Sequence, residues 1–134
     1  MLGIQIVSHG QFSKGIVDSL DMILGDTTGV AYNTLERDSD LESFRDIVLE
    51  TTNSLMENEG VIVFVDMFGA TPYNAALYNS QYFTTENYAV IAGYNLPILI
   101  ESMMSREFMS VPELVTHLKS VASDTIVIGE LLQY

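Results

Sequence analysis

Apolar positions along this chain follow two periods, and the switch between them marks its elements. Ile4 to Val7 is a short apolar run with β-branched residues, and from Phe12 onward Phe12, Ile16, Leu20, Ile23 and Leu24 recur with helical spacing. A strand therefore feeds directly into a helix, with Ser8-His9-Gly10 at the junction and Gly25 as a C-cap. Val30 to Tyr32 reads as a short strand before the polar segment Asn33 to Asp40. Leu41, Phe44, Ile47, Val48, Leu55 and Met56 form a second helical stripe, which Ser39 and Glu42 open with capping-box spacing. Glu57 to Gly60 breaks that pattern, and Val61 to Val65 follows as a continuous apolar run. Such a run marks a strand covered on both faces, central in a parallel sheet.

A second strand-to-helix switch follows in Asp66-Met67-Phe68-Gly69-Ala70-Thr71-Pro72-Tyr73-Asn74, where Thr71 is placed to cap a helix and Pro72 fits its first turn. Tyr88 to Ala92 reads as a strand, Gly93-Tyr94-Asn95-Leu96-Pro97 as a turn, and Pro97 to Arg106 as an apolar helix. Ser110 and Glu113 repeat the capping-box spacing before a helix through Val121, and Thr125 to Ile128 is expected as a last strand. Alternating strands and helices predict one α/β domain over residues 1–134, an open doubly wound, mainly parallel sheet with helices on both faces. Ligands of such sheets sit beyond the carboxyl ends of the strands, near the point where strand order reverses. His9, Asp66 and Gly93 each follow a strand, so the three are expected on that edge.

Composition narrows the partners. The balance of 5 basic against 18 acidic residues, a net charge of -13, repels phosphate backbones and anionic lipids, so no nucleic acid is expected. No cysteine is present, which removes disulfides and thiolate metal ligands; with only two histidines, no metal site is expected. The longest apolar runs fall short of a membrane span and the N-terminus lacks a secretory pattern, which makes a cytoplasmic location the expectation. Neither G-x-x-x-x-G-K-[ST] nor G-x-G-x-x-G occurs, so no nucleotide cofactor is expected.

Phosphoryl transfer is one chemistry that residues at that edge can perform. A histidine and an aspartate on adjacent strand ends allow the carboxylate to accept a hydrogen bond from one ring N–H, which fixes the tautomer and leaves the other nitrogen as an oriented nucleophile. The helix starts after His9 and near Thr71 offer backbone N–H groups to an anion, with the Thr71 hydroxyl as a further donor. Backbone must carry much of this load, since the basic side chains are Lys14, Arg37, Arg45, Arg106 and Lys119 and only Lys14 lies near His9 in sequence. The blander readings make His9 a structural residue, Asp66 a turn or capping aspartate, the methionines core filler and His117 a solvated face residue.

Three motifs in register then match a known family. I-x-I-V-S-H-G-x-F-x-x-G, V-D-M-F-G-A-T-P-Y-N and G-Y-N-L-P resemble the IIA component of the mannose-class bacterial phosphotransferase system over nearly the whole chain. The resemblance implies a phosphotransferase without cofactor, in which His9 takes a phosphoryl group from phospho-HPr and passes it to a IIB component for sugar uptake. The membrane components IIC and IID are then reached indirectly. It implies that Asp66 orients His9 and that Thr71 contacts the phosphoryl group, with Gly10, Gly69 and Ala70 as further phosphoryl-binding positions. It also implies a homodimer of flavodoxin-like subunits that exchange the C-terminal strand, here Thr125 to Ile128, and a IIB component supplied as a separate protein. The family has two glycines where this chain has Gly69-Ala70, so Ala70 is expected in a conformation that alanine tolerates.

Rival classes lack their own requirements. A histidine-type phosphatase needs arginines around its phosphate and a second catalytic histidine, but Ser8 stands where the first arginine would be and His117 is poorly placed. A receiver domain needs acidic residues after the first strand and a lysine after the last. A non-catalytic dimeric interaction module is the remaining alternative, and it predicts that His9→Ala leaves every activity untouched.

Overall fold

A computed structural model describes residues 1–56 and 59–133; residues 57 and 58 of the expected break between helix and strand lie outside that description. Four strands, β1 (Gly3–His9), β2 (Val30–Leu35), β3 (Val61–Val65) and β4 (Tyr88–Ala92), form a parallel sheet in the order β2-β1-β3-β4. They alternate with helices α1 (Phe12–Leu24), α2 (Leu41–Leu55), α3 (Thr71–Asn79), α4 (Leu96–Ser105) and α5 (Val111–Val121). Helices α1, α4 and α5 cover one face through Ile16, Leu20, Leu99, Leu114 and Leu118 against Ile4, Ile6, Ile62 and Phe64. On the other face, Phe44, Val48, Ala75 and Ala76 of α2 and α3 pack on Val7, Val61, Val63 and Val65. All five residues of β3 are buried, as its unbroken apolar run requires, and each such side chain contributes about 1.5–3 kcal/mol by leaving water. The strand order reverses between β1 and β3, so the ends of these two strands flank the crevice of the sheet. No helix among the described residues is long and apolar enough to cross a membrane.

Several expectations need correction. Strand β2 continues through Asn33 to Leu35 because the buried Asn33 is satisfied from outside its own strand. Its Oδ1 accepts from Gln5 Nε2 at 2.8 Å, its Nδ2 donates to Thr51 Oγ1 at 2.9 Å, and Thr52 Oγ1 donates to Gln5 Oε1. At the start of α2 the cap is Asp40, which accepts from the Ser43 N–H; Ser39 instead accepts from the Glu36 N–H. The buried face of that helix is Phe44, Val48 and Thr52, while Leu41 and Ile47 are exposed. His117 is not a solitary surface residue: its Nε2 lies 2.6 Å from Glu101 Oε1, joining α5 to α4. Thr125 to Ile128 forms no strand within this chain. Residues Ala122–Thr125 make a 3-10 turn and the segment beyond is exposed, because a strand needs a partner for its N–H and C=O groups and none lies beside it.

The edge of the sheet where the strands begin is tightly closed. Arg106 is buried there, donating to the carbonyls of Leu2 and Thr28 at 3.3 and 2.6 Å and thereby tying the end of α4 to the entries of β1 and β2. Burial lowers its pKa from the usual arginine range, and the acidic Asp26 and Glu107 act in the opposite sense. Gly60, at φ +142°, sits where an added Cβ would lie 2.7 Å from Val111 Cγ2 and 2.8 Å from the Asn87 carbonyl oxygen.

Candidate active site

Residue pairing brings the two motifs together. Val7 of β1 stands beside Val65 of β3, so His9 and Asp66 leave adjacent strand ends. Asp66 Oδ2 accepts the His9 backbone N–H at 2.8 Å and lies 2.8 Å from His9 Nδ1. A carboxylate oxygen only accepts, so Nδ1 carries a ring proton, and in the neutral imidazole Nε2 then keeps its lone pair. The carboxylate side chain is 12 % exposed and the imidazole 49 %, an arrangement that hides the carboxylate and presents the ring to solvent. The second carboxylate oxygen, Oδ1, is buried and has no partner among the described residues.

The helix starts around His9 differ from the rest. Asp40, Asn95 and Ser110 cap α2, α4 and α5 with their side chains, and Glu113 completes a capping box on α5. At α1 and α3 the cap residue's own side chain makes no such bond, although Ser8 Oγ accepts the Ser13 N–H at the start of α1 at 2.8 Å, which leaves α3 as the start without a side-chain acceptor among the described residues. The cap position of α3 is Ala70, not Thr71 as the sequence suggested; alanine has no oxygen to offer, so the N–H groups of Thr71 and Tyr73 stay open at the helix start. Thr71 is the first helical residue, with Pro72 next in the first turn, and its side chain lines a cleft of about 730 Å³ together with His9, Gly10, Gln11, Glu36 and Arg37.

The glycine substitution in the loop has a simple structural account. Gly69 holds the left-handed conformation at φ +78°, whereas Ala70 is extended at φ -89° and ψ 178°, a region open to any residue. Only one of the two loop positions needs glycine. Gly10 borders the cleft, but its N–H donates to the Leu35 carbonyl at 2.8 Å, so it is spent on closing the β1–β2 junction instead of facing an anion.

Three neighbours were not singled out by their sequence context. Arg37 and Glu36 enter the cleft from the end of β2, although neither is near His9 in sequence. Tyr94 stacks on Phe12 with ring centroids 5.0 Å apart, and its phenol is pushed above the usual tyrosine range by burial and, secondarily, by the charge of Asp66. Lys14, nearest among the basic residues in sequence, is exposed on α1 and does not line the cleft. Met67 and Phe68 stand exposed on the β3–α3 loop, with Phe68 edge-on to Tyr73.

Comparison with known proteins identifies the family and the fold. The family model described as the PTS system fructose IIA component matches residues 3–119. The chain is 28% identical over 125 residues to the fructose-specific EIIA component of Bacillus subtilis, covering 93% of this chain and 84% of that protein. It is 29% identical over 106 residues to the mannose-specific EIIAB component of Escherichia coli, covering 79% of this chain and 32% of that longer protein. A crystal structure of EIIA from Streptococcus agalactiae superimposes with a TM-score of 0.86 at 28% identity, covering 96% of this chain and 97% of that one. The mannose/sorbose IIA subunit of Enterococcus faecalis shares the fold, with a TM-score of 0.86 at 22% identity and coverage of 99% and 98%. A sheet with its crevice between β1 and β3, three motifs in register and a family match across most of the sequence lead to one assignment: this chain belongs to the fructose/mannose IIA family of the phosphotransferase system.

Proposed function

We propose that His9 is the residue through which this phosphocarrier of sugar uptake works, taking the phosphoryl group from phospho-HPr and giving it to a IIB component. The observation that carries this reading is the double hold of Asp66 Oδ2 on the His9 N–H and Nδ1, each at 2.8 Å. With Nδ1–H bound to the carboxylate, Nε2 attacks phosphorus. The bond from phosphorus to the donor nitrogen breaks, the donor ring leaves neutral, and Asp66 balances the positive charge that forms on the His9 ring. The same steps in reverse deliver the group to the acceptor. The open N–H groups at the start of α3 and the Thr71 hydroxyl bind the phosphoryl oxygens, with Gly69 shaping the loop that aims them. This route uses no metal and no cofactor. The protein works in the cytoplasm, and IIB relays the group to the membrane components IIC and IID.

The test is phosphorylation by phosphoenolpyruvate, enzyme I and HPr, followed as an acid-labile, base-stable label. Wild type takes up label only with HPr present and His9→Ala takes up none. Label on His9→Ala, or none on wild type, overturns the assignment, and the second result favours the interaction-module reading.

The proposal extends to a homodimer. The segment after α5 exposes Ile126, Val127 and Ile128, and β4 is an edge strand, so both support addition of this segment to a second subunit's sheet. Sedimentation equilibrium is expected to give twice the chain mass; a monomer at micromolar concentration would sink this part.

A further inference from the structure

Among the described residues, the cleft beside His9 holds a cation that makes no ion pair. Of the five basic side chains, Arg106 is buried at the opposite edge, Arg45 lies 3.8 Å from the Tyr78 ring centroid, Lys119 sits in the last turn of α5 and Lys14 is on α1. Arg37 alone of the five lines the cleft. Among the described residues it makes no ion pair. The adjacent acid, Glu36, is turned toward other donors through one oxygen: its Oε1 accepts from Gln11 Nε2 at 3.0 Å and from Thr34 Oγ1 at 2.9 Å.

This arrangement matters because of what must enter. The chain carries a net charge of -13, and Glu36 and Asp66 both stand at or behind the cleft. A phosphoryl group approaching His9 is repelled by that background unless a positive charge meets it locally. We infer that Arg37 is a phosphoryl-binding residue of this site, its guanidinium gripping the transferred group from the β2 side while Thr71 and the start of α3 hold it from the β3 side. The planar fork of arginine offers two parallel N–H donors to two phosphoryl oxygens, and it stays protonated throughout, so it makes and breaks no bond in the transfer. The inference rests on His9 as the carrier residue. It goes beyond the helix-start donors by assigning the cleft one side-chain cation, supplied by a loop far from His9 in sequence.

Arg37→Ala and Arg37→Lys test it, and because Arg37 is exposed neither change threatens folding. Two readings are taken: the initial rate of phosphoryl uptake from phospho-HPr, and the displacement of the His9 and Thr71 amide resonances when unphosphorylated protein is titrated with inorganic phosphate. Arg37→Ala is expected to slow uptake by about ten- to a hundredfold and to weaken the phosphate-induced displacements, with Arg37→Lys recovering part of both. Wild-type behaviour of Arg37→Ala in both readings overturns the role of Arg37 and leaves His9 standing. Slowed uptake with unchanged phosphate response also overturns it, since Arg37 would then serve partner docking instead. A wild type that accepts no phosphoryl group from HPr overturns the His9 reading, and the basis of this one falls with it.

Discussion

The two edges of the sheet are built on opposite rules. Where the strands begin, polar groups are paired and space is filled: Arg106 is buried on two carbonyls, and Gly60 has backbone and side chain closer than any Cβ could approach. Where the strands end, the imidazole of His9 is half exposed, Asp66 Oδ1 is unpartnered among the described residues, the start of α3 lacks a side-chain cap, and Gly69 has no atom within 4 Å of an added Cβ. A left-handed glycine appears at both edges, for different reasons. At Gly60 the missing side chain makes room for packing; at Gly69 it only permits the backbone turn. Paired and filled contacts lie at one edge, and unspent hydrogen-bonding capacity at the other.

That division can be broken by single substitutions. Asp66→Asn should have the largest effect: an amide donor facing Nδ1 favours the wrong tautomer, so phosphoryl uptake is expected to fall about a thousandfold or more, by the logic of an orienting carboxylate replaced by its amide. Its thermal midpoint should move by only a few degrees, and a collapse of the fold would show that the site edge is structural after all. Gly60→Ala should do the reverse. Overpacking against Val111 and the Asn87 carbonyl, together with a positive φ, is expected to cost about 3 kcal/mol in urea unfolding, with uptake by the folded fraction unchanged. Gly69→Ala keeps only the backbone penalty, about 1 kcal/mol, since nothing stands in the way of its Cβ. Equal costs at the two glycines would erase the contrast.

How much of this was legible in the sequence depended on where each residue finds its partner. Strands β1, β3 and β4 are apolar runs whose burial is set by composition, and they appear where the pattern put them. Strand β2 was read too short because Asn33 is satisfied by Gln5 and Thr51, residues far from it along the chain. Caps were harder: Ser39 and Thr71 are good capping residues, yet Asp40 and Ala70 occupy the positions, because a one-residue shift in helix entry leaves the motif unchanged in appearance. His9 and Asp66 were found because each follows a strand, and parallel pairing then dictates that they meet. Arg37 reaches the cleft through the β2–α2 connection, and nothing in its local sequence marks it.

Asp66 Oδ2 holds the main chain and the ring of the same histidine with one atom. A ring pinned in this way does not swing between one docking face and another, so under the proposed role of His9 phosphorus would arrive and depart along a single line, through the solvent-facing nitrogen. Donor and acceptor would then compete for the same volume, leaving no place for a ternary complex. The proposed transfer through His9 is therefore expected to be a one-lane relay with ping-pong kinetics, in which excess acceptor slows loading as surely as excess donor slows discharge.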